Sequence, residues 1–510
     1  MPDGIGVENL RGSGMIAGVT SRAYQETFTL SYVSGRSVGI GAYLVRLGQR
    51  VIQMKQGPMI LTGYSALNKL LGKPVYTSQD QLGGPQVMVP NGVTHLAVDN
   101  DYEGARAIVD WLAFVPDTVP LAPYALPPVL SPLADPVDRL VTVKPPMTGG
   151  MTNFDVRSVL DDGLGKGFFD AGSFKETLAG WGKTVVAGRA RLGGIPFGVI
   201  AVETRTVEAV VPADPANPDS RETVLPQAPQ VWYPDSAFKT AQAIADFQNG
   251  EHLPLMIFAN WRGFSGGTRD MFDEVLKFGA KIVDSLSDYT RPVFVYIPPG
   301  GELRGGAWVC VDPTINERYM EMYADPDSRG GILEPPGICE VKFREPERRQ
   351  LMRRIDPSLE SLDSADKDKK MKDLGPAYLQ VATEFADLHD RAGRMKAKGV
   401  IRDIVPWETS RQYFYWRAKR RLAVDALATA MASKSTSFED AVASIENFCS
   451  TNNVDWANDE KVAAYLETNT KDTDALVATA KKHALLDDFK SLAKQADPAL
   501  LKEAIAELSK

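Results

Sequence analysis

The sequence predicts a layered α/β protein that ends in a helical region. Residues 15–114 alternate short apolar strands with stretches of helical periodicity, and the same alternation resumes after residue 183. From Arg344 onward glycine nearly disappears and charge density rises, which is typical of a helical appendage. The 510 residues carry a formal charge of −8. This charge argues against nucleic acid as the main partner, because phosphate binding needs concentrated Lys and Arg.

The first part of the chain is predicted to consist of strands separated by helices. The strands are residues 28–33, 51–54, 59–62 and 95–98, and the helices are residues 40–47, 65–71 and 102–114. A dense proline cluster at residues 116–146 then ends the pattern, since proline continues neither a helix nor a central strand. We place a domain boundary there, and the predicted domains are residues 1–128, 129–343 and 344–510.

The middle and last parts of the chain follow the same reasoning. Predicted strands at residues 183–192 and 197–203 flank Gly193 and Gly194, a pair typical of a hairpin turn. The other predicted elements are strands at 253–259 and 293–297 and helices at 237–247, 271–286, 377–398, 408–430 and from 438 onward. The repeated order of strand, glycine-rich turn and helix is consistent with an internal duplication. The basic run RAKRR at 417–421 is interpreted as the solvated side of an aromatic-packed helix, with a phosphate-binding patch as the alternative.

Several kinds of site find no support in the sequence. Cys310, Cys339 and Cys449 are too scattered for a disulfide framework or a zinc site, which favours a reducing compartment. No apolar run is long enough for a membrane span, and the first residues do not resemble a targeting signal. P-loop, dinucleotide-binding and HExxH motifs are missing, so we expect no metal in this region. The histidines do not cluster, so a histidine base is not expected.

One stretch of the middle part resembles a hydrolase motif. Gly263, Ser265 and Gly267 match the G-x-S-x-G nucleophile elbow, between a predicted buried strand and an amphipathic helix. A serine hydrolase also needs a histidine after the serine, and only His389 and His483 follow, both in charged helical sequence. We therefore expect Ser265 to cap the helix with its hydroxyl rather than to act as a nucleophile.

Glycine-rich turns that carry an arginine recur along the chain. They are residues 35–41 with Arg36, residues 263–267 after Arg262, and residues 300–306 with Arg304. Backbone N–H groups at such turns can hold an oxyanion that develops during a reaction. The planar fork of an arginine matches a carboxylate. The recurrence of these turns favours chemistry on an enolate or another anion, with a carboxylate bound nearby.

Longer strings of the chain are specific to one family. They include GVENLRGSG (6–14), GRSVGIGAYLVRLGQR (35–50), GRARLGGIPFGVIAVETRT (188–206), ANWRGFSGGTRDMFDEVLKFGA (259–280), GELRGGAWVCVDPTIN (301–316) and LHDRAGRMKAKGVI (388–401). Over nearly the whole chain, the sequence resembles the carboxyltransferase region of eukaryotic multidomain acetyl-CoA carboxylase. The resemblance implies an α/β fold of two crotonase/ClpP-like subdomains built from repeated β-β-α units, the first one incomplete, plus the C-terminal helical extension.

The resemblance also implies a reaction and assigns residues to it. The reaction moves CO₂ from N-carboxybiotin to acetyl-CoA, giving malonyl-CoA for fatty acid synthesis, and it requires no side-chain base. Arg36 and Arg262 match the arginines that surround the transferred carboxylate. Leu10 matches a residue that lines the acyl pocket, and plain core packing is the alternative for this side chain.

The same resemblance assigns two pairs of backbone N–H groups. Those of Gly39 and Ile40 match the pair that faces the acyl thioester oxygen, and those of Gly305 and Gly306 match the pair that faces the biotin ureido oxygen. The implied partners are acetyl-CoA, malonyl-CoA and a biotinylated carrier domain. A homodimer is also implied, because in the family the N-subdomain of one protomer faces the C-subdomain of the other.

Further expectations concern the chain ends and the compartment. The resemblance implies that the chain begins inside the N-subdomain, without the early β-β-α units and without the biotin carboxylase and carrier domains. The expected compartment is the cytoplasm, with the plastid as the alternative, because a targeting signal would lie upstream. Two alternative functions stay open: a carboxyltransferase for another acyl-CoA such as propionyl-CoA, which differs only in pocket volume, and a truncated fragment that acts only in dimerisation.

Overall fold

The computed structural model describes residues 6–115, 135–145 and 154–495, together with residues 502, 506 and 507. The described residues up to Arg411 form one compact unit, and those from Gln412 onward form a second. The first unit contains both α/β parts that the sequence predicts. Much of the proline cluster, including the predicted boundary at residue 128, lies outside the described residues.

The first α/β part is a small parallel sheet covered by helices. A 3₁₀ turn at Val7–Leu10 precedes α1 (Ser13–Glu26), β1 (Ser31–Val33), β2 (Ser37–Val38), α2 (Ile40–Leu47), β3 (Val51–Met54), β4 (Met59–Ile60), α3 (Tyr64–Leu71), α4 (Asp80–Gly83), α5 (Pro85–Met88), β5 (Leu96–Val98) and α6 (Asp101–Leu112). Strands β1, β3 and β5 form the sheet in that order, and all pairs are parallel. The predictions for α2 and β3 are confirmed to the residue, whereas the predicted strand at 28–33 keeps only its last three positions.

The middle part contains more elements, which we number onward. They are α7 (Arg157–Leu160), β6 (Lys175–Thr177), β7 (Val185–Leu192), β8 (Ile195–Val202), β9 (Val207–Val211), β10 (Thr223–Gln227), β11 (Val231–Trp232), α8 (Pro234–Gln248), β12 (Leu255–Phe258), β13 (Gly263–Phe264), α9 (Thr268–Phe272), α10 (Val275–Ser287), β14 (Val293–Ile297), β15 (Glu302–Arg304), α11 (Gly305–Val311), β16 (Met320–Ala324) and β17 (Arg329–Gly331). The helix predicted at 271–286 is divided between α9 and α10, because Glu274 adopts a left-handed φ of 72°.

The elements that follow β17 are mostly helical. In the first unit they are α12 (Pro335–Lys342), α13 (Glu345–Ile355), α14 (Ser364–Asp390), α15 (Ala392–Ala397), β18 (Asp403–Ile404) and the start of α16 (Trp407–Met431). The helix predicted at 377–398 is wrong in its bounds, since α14 contains Pro376 and the chain becomes extended at Arg391. The strand β18 was also not expected in this region.

A seven-stranded sheet forms the core of the middle part, in the order β18-β16-β14-β12-β8-β7-β6. Strands β18 to β8 run parallel, and β7 and β6 pair antiparallel with their neighbours. Strands β8, β12, β14 and β16 are buried along their whole length, which explains the continuous apolar sequence of β8, β12 and β14; β16 also buries Glu321. The predicted hairpin between β7 and β8 is confirmed, and its turn residues Gly193 and Gly194 have φ of 57° and 83°, as a type I′ turn requires.

Short parallel strand pairs stand apart from the large sheets. Strand β2 pairs with β4, β11 with β13, and β15 with β17. A helix follows one member of each pair directly: α2 after β2, α9 after β13 and α11 after β15. The predicted duplication would produce this recurrence. In each case the glycine-rich turn lies where a short strand meets the helix that follows it.

A buried polar cluster joins the first α/β part to the middle part. Glu251 accepts hydrogen bonds from Arg50 and from Arg189, each at 2.5 Å, and all three side chains are at most 3% exposed. Close by, the Nε2 atom of His95 lies 3.0 Å from a carboxylate oxygen of Asp246. Burial lowers the pKa of His95, which favours a neutral, structural imidazole. Opposite charges thus compensate each other in the interior where the two parts meet.

Among its described residues, the second unit has helices as its regular secondary structure. It contains the rest of α16, followed by α17 (Phe438–Thr451), α18 (Asp459–Thr468) and α19 (Thr470–Gln495). The interpretation of the basic run in α16 as a solvated face is wrong for two of its members. Arg417 and Arg420 are 5% and 8% exposed, and both donate to the carboxylate of Asp459, at 3.0 and 2.6 Å. These cations are structural partners inside the helical unit.

Candidate functional site

The segment from Arg36, just before β2, to Ile40, the first residue of α2, carries three of the predicted site residues and is called the Arg36 turn. Gly39 ends the turn with φ of 58°, a left-handed conformation that glycine adopts without steric cost. Arg36 is exposed, and among the described residues no carboxylate lies within ion-pair distance of it. Ile40 is the first residue of α2 and is also exposed. The turn therefore presents a cation beside the start of a helix.

The backbone N–H groups of this turn differ from the expected pair. The Gly39 N–H donates to the carbonyl oxygen of Ile60 in β4 at 2.9 Å, so it is committed to the strand pair. For the N–H groups of Ile40 and Gly41, no acceptor occurs among the described residues. The first N–H groups of a helix have no partner within the helix. The Gly39 N–H is thus occupied within the protein, whereas the N–H groups of Ile40 and Gly41 have no acceptor among the described residues.

Leu10 lies in the 3₁₀ turn that precedes α1. Its side chain is 66% exposed, and its carbonyl oxygen accepts a hydrogen bond from the Ser13 hydroxyl at 2.8 Å. The alternative of plain core packing is therefore wrong in this chain. The next element, α1, packs against α2, which begins at Ile40.

The turn between β12 and β13 holds Arg262 on a firm backbone. The Arg262 N–H donates to the carbonyl oxygen of Gln230, and the Ser265 N–H donates to that of Trp232, both at 2.8 Å. The ring of Trp232 stacks on Trp261 with centroids 3.9 Å apart. Hydrogen bonds and stacked rings thus fix the turn on both sides of Arg262.

Ser265 has neither of the roles considered from the sequence. The N-cap of α9 is Gly267, and no side chain caps that helix, so the capping prediction is wrong. The Ser265 hydroxyl donates instead to the carboxylate of Asp270. A hydroxyl held by a carboxylate is not the serine–histidine pair that activates a nucleophile.

Four side chains of alternating charge run from Arg262 into the protein. Arg262 donates to one oxygen of Glu302 at 2.8 Å, and Arg304 donates to the other oxygen at 3.0 Å. Arg304 also donates to the carboxylate of Asp390. The exposed fraction falls from 25% for Arg262 to 15% for Glu302 and 2% for Arg304. Arg304, which the sequence groups with Arg36 and Arg262, is therefore a buried structural cation rather than a ligand-binding one.

The N-terminus of α11 carries the second predicted pair of donors. Gly305 has φ of 47°, and a Cβ on it would stand 3.1 Å from the carbonyl oxygen of Ile332. Gly306 is exposed, and a Cβ on it would stand 3.8 Å from the ring of Phe264. Neither N–H has an acceptor among the described residues. Burial raises the pKa of Cys310 in the same helix to about 11, so its thiol stays protonated and is a poor nucleophile.

The structure brings some of the predicted residues together and leaves others apart. The Arg304 N–H donates to the Trp261 carbonyl oxygen at 2.9 Å, which places the Arg262 turn beside Gly305 and Gly306. Arg36, Gly39 and Ile40 share the other turn, whose strand pair is separate. Among the described residues, neither Gly39 nor Leu10 forms a hydrogen bond with a residue of the Arg262 turn. The predicted residues thus fall into two groups. We call Arg36, Gly39 and Ile40 the first half-site, and Arg262, Gly305 and Gly306 the second half-site.

Sequence reasoning missed the polar residues that support the second half-site. Asn260 accepts from the Glu302 N–H at 2.9 Å and from the Gln230 side chain at 2.5 Å. Gln230 itself has a left-handed φ of 60°, which is costly for a residue with a side chain. The sequence did contain one signal for this cluster. Glu302 and Arg304 are two residues apart, and alternate residues of a strand share one face, so their side chains can be expected to lie side by side.

Comparison with known proteins places this geometry in a family. Residues 3–422 match the carboxyl transferase domain. This chain belongs to the carboxyl transferase domain family. It is 56% identical over 441 residues to acetyl-CoA carboxylase of Schizosaccharomyces pombe, covering 82% of this chain and 19% of that protein. With acetyl-CoA carboxylase of Saccharomyces cerevisiae the identity is 49% over 533 residues, covering 99% of this chain and 24% of that protein. This carboxyl transferase domain therefore spans about a fifth to a quarter of the length of these relatives.

Solved structures give the same fold for this carboxyl transferase domain. A structure of transcarboxylase 12S, with methylmalonyl-coenzyme A and methylmalonic acid bound, aligns with a TM-score of 0.60 at 18% identity. The alignment covers 83% of this chain and 70% of that chain. The predicted fold class, a crotonase-like α/β architecture with a helical C-terminal part, is confirmed.

Two kinds of feature are absent from the part of the chain that the structure describes. The described helices include none that is both long and apolar enough to cross a membrane. The described residues also contain no group of three or more His, Cys, Asp or Glu side chains arranged to hold a metal ion.

Proposed function

We propose that this domain performs the carboxyltransferase half-reaction of acetyl-CoA carboxylase, moving CO₂ from N-carboxybiotin to acetyl-CoA to give malonyl-CoA. The observation that carries the proposal is the recurrence of one arrangement in the two α/β parts. In each, a left-handed glycine follows a short parallel strand pair, and backbone N–H groups without an acceptor stand at the start of a helix. An arginine lies beside each of these turns.

Paired N–H donors of this kind stabilise oxygen atoms that become negative during a reaction. The acetyl group would lose a methyl proton to the biotin nitrogen that gives up CO₂, and its thioester oxygen would then carry enolate charge. The Ile40 and Gly41 N–H groups can donate to that oxygen and favour the charged form. Loss of a single such donor typically costs about 10² to 10³ in turnover. In this scheme the turn residues stabilise charge and position the reactants, and none of them acts as a base.

The second half-site fits a ligand with a carbonyl oxygen, as the ureido group of biotin has. Gly305 has the left-handed φ and stands so close to Ile332 that a Cβ would crowd its carbonyl oxygen, while a Cβ on Gly306 would lie in ordinary contact with the ring of Phe264. When bound, N-carboxybiotin supplies the carboxyl group. Gly305 and Gly306 would hold the ureido oxygen, and Arg262 would orient the carboxylate through its planar fork.

The complete site needs both half-sites. We therefore include a homodimer in the proposal, in which the Arg36 turn of one protomer meets the Arg262 turn of its partner. A biotinylated carrier domain would deliver the carboxyl group. Acetyl-CoA is favoured over propionyl-CoA as the acceptor because relatives at 49% to 56% identity are named acetyl-CoA carboxylase. The cytoplasm is the compartment that we propose.

The test is decarboxylation of malonyl-CoA in the presence of free biotin. We expect Arg262→Ala to lower kcat/KM by the equivalent of about 2 to 4 kcal/mol, the usual cost of a lost charged contact. Arg262→Lys should recover only part of this loss, because a point charge does not reproduce the planar fork. Arg269→Ala is the matched control, since Arg269 lies nearby in α9 and pairs only with Asp273 among the described residues.

Each result bears on one alternative. Activity of the unsubstituted chain with malonyl-CoA but little with methylmalonyl-CoA supports acetyl-CoA as the acceptor, and the reverse preference would favour propionyl-CoA. Absence of turnover with both substrates would favour a fragment that acts only in dimerisation. Equal activity of the Ala and Lys variants of Arg262 would contradict its role in binding the carboxylate.

A further inference from the structure

Arg262 lies at the outer end of a chain of alternating charges. The order of contacts is Arg262, Glu302, Arg304 and Asp390, and each neighbouring pair is joined by a hydrogen bond. Two positive and two negative groups balance within this chain. A carboxylate ligand on Arg262 would add a further negative group at the exposed end.

Glu302 is not needed to neutralise Arg304. Arg304 is 2% exposed and donates to Asp390 as well as to the carbonyl oxygen of Leu333. A Cβ on Gly331 would stand 2.6 Å from the Asp390 carboxylate and 3.0 Å from Arg304, so that inner pair is tightly enclosed. Arg304 therefore keeps Asp390 as a charged partner when the charge of Glu302 is removed, although it also donates to Glu302 at 3.0 Å.

The backbone of Glu302 is itself fixed. Its N–H donates to the side-chain oxygen of Asn260, which also accepts from Gln230, and its strand β15 pairs with β17. A guanidinium carries its five N–H groups in one plane. Holding one nitrogen of Arg262 at 2.8 Å therefore sets the direction of all the others.

We propose that Glu302 is a positioning residue that holds the guanidinium of Arg262 in the plane required for a substrate carboxylate. The inference rests on the proposed function, because it assumes that Arg262 binds that carboxylate. Glu302 touches no substrate in this scheme and acts only through Arg262. The charge of Glu302 should therefore not affect the binding of a ligand that lacks the carboxylate.

The test is a double-mutant cycle with the full chain. The variants are Glu302→Gln, Arg262→Ala and the combination of both, assayed by malonyl-CoA decarboxylation with free biotin. Glu302→Gln keeps the size of the side chain and removes its charge. We expect it to lower kcat/KM about tenfold or more, the usual range for a lost hydrogen bond to a charged group. The same substitution should have no further effect when Arg262 is already Ala.

A binding measurement separates positioning from a general structural effect. By calorimetry, Glu302→Gln should weaken malonyl-CoA binding and leave acetyl-CoA binding unchanged, because acetyl-CoA has no carboxylate at the reacting end. Asp387→Asn is the matched control. Asp387 also bridges two arginines, Arg329 and Arg391, at 2.6 and 2.9 Å, but it does not touch Arg262. This control should keep full activity.

The outcomes distinguish the two proposals. Two results would overturn the inference alone, provided that Arg262→Ala has a large effect. In the first, Glu302→Gln has no effect. In the second, Glu302→Gln has the same effect in the unsubstituted chain and in the Arg262→Ala variant. No effect of Arg262→Ala overturns the assignment of Arg262 and the inference with it. If Glu302→Gln does not fold, Glu302→Asp supplies the same cycle, since it keeps the charge but shortens the reach to Arg262.

Discussion

Substitution of Gly305 by alanine tests the donor pair at the start of α11. Gly305 has φ of 47°, in the left-handed region. An alanine there costs about 1 to 2 kcal/mol of steric strain. Its Cβ would also stand 3.1 Å from the Ile332 carbonyl oxygen, so that neighbour must move by a few tenths of an ångström. We therefore expect the free energy of unfolding to fall by about 1 to 2 kcal/mol.

The effect of Gly305→Ala on turnover should exceed its effect on stability. Donors that stabilise developing charge must be held to about half an ångström. A displaced pair of N–H groups is expected to lower kcat at least about tenfold, toward the 10² or more seen when a donor is removed. The assay is malonyl-CoA decarboxylation with free biotin at saturating substrate, together with urea denaturation of each variant.

Gly399→Ala is the control that isolates the strain. Gly399 has φ of 70°, and no heavy atom lies within 4 Å of the position that its Cβ would take. It lies in the same unit, between α15 and β18, and its N–H donates to the Lys396 carbonyl oxygen at 2.9 Å rather than to a residue of either half-site. We expect Gly399→Ala to lose similar stability and to keep its turnover. If both variants turn over at the same rate, the donor role of Gly305 is refuted.

The remaining predictions concern a serine and a lysine. Ser265→Ala should keep most of the carboxyltransferase activity, and covalent labelling of Ser265 by a fluorophosphonate would contradict this. Burial lowers the pKa of Lys239 to about 8, with its amine donating to the Val185 carbonyl oxygen at 2.6 Å. The unfolded chain then binds this proton more tightly, so the free energy of unfolding should rise by about 3 kcal/mol between pH 8 and 10.5. Urea denaturation should show that rise in the unsubstituted chain and not in Lys239→Met, and parallel pH profiles would show that Lys239 is not the cause.

The sequence by itself determined the local elements and the family. The apolar run of Val293–Ile297 gave a buried parallel strand with the predicted bounds, because such runs are favourable only when both faces are covered. Gly193 and Gly194 determined the hairpin, since few other residues adopt left-handed φ at both turn positions. The strings around Arg36 and Arg262 also identified the carboxyl transferase family before any contact was known.

Tertiary structure decided which groups of each turn have a partner within the protein. Arg262 and Arg304 both lie beside glycine-rich turns in the sequence. Only Arg304, however, is buried, and it donates to Asp390, which lies 86 residues away along the chain. The Gly39 N–H is committed to Ile60 because β2 pairs with β4, a register that no local pattern shows. The partner of Arg262, Glu302, lies 40 residues away and meets it only when folding brings β15 against Trp261, whose carbonyl oxygen accepts from the Arg304 N–H. Local propensity acts over a few residues, whereas hydrogen-bond partners depend on contacts that chain folding creates over long separations.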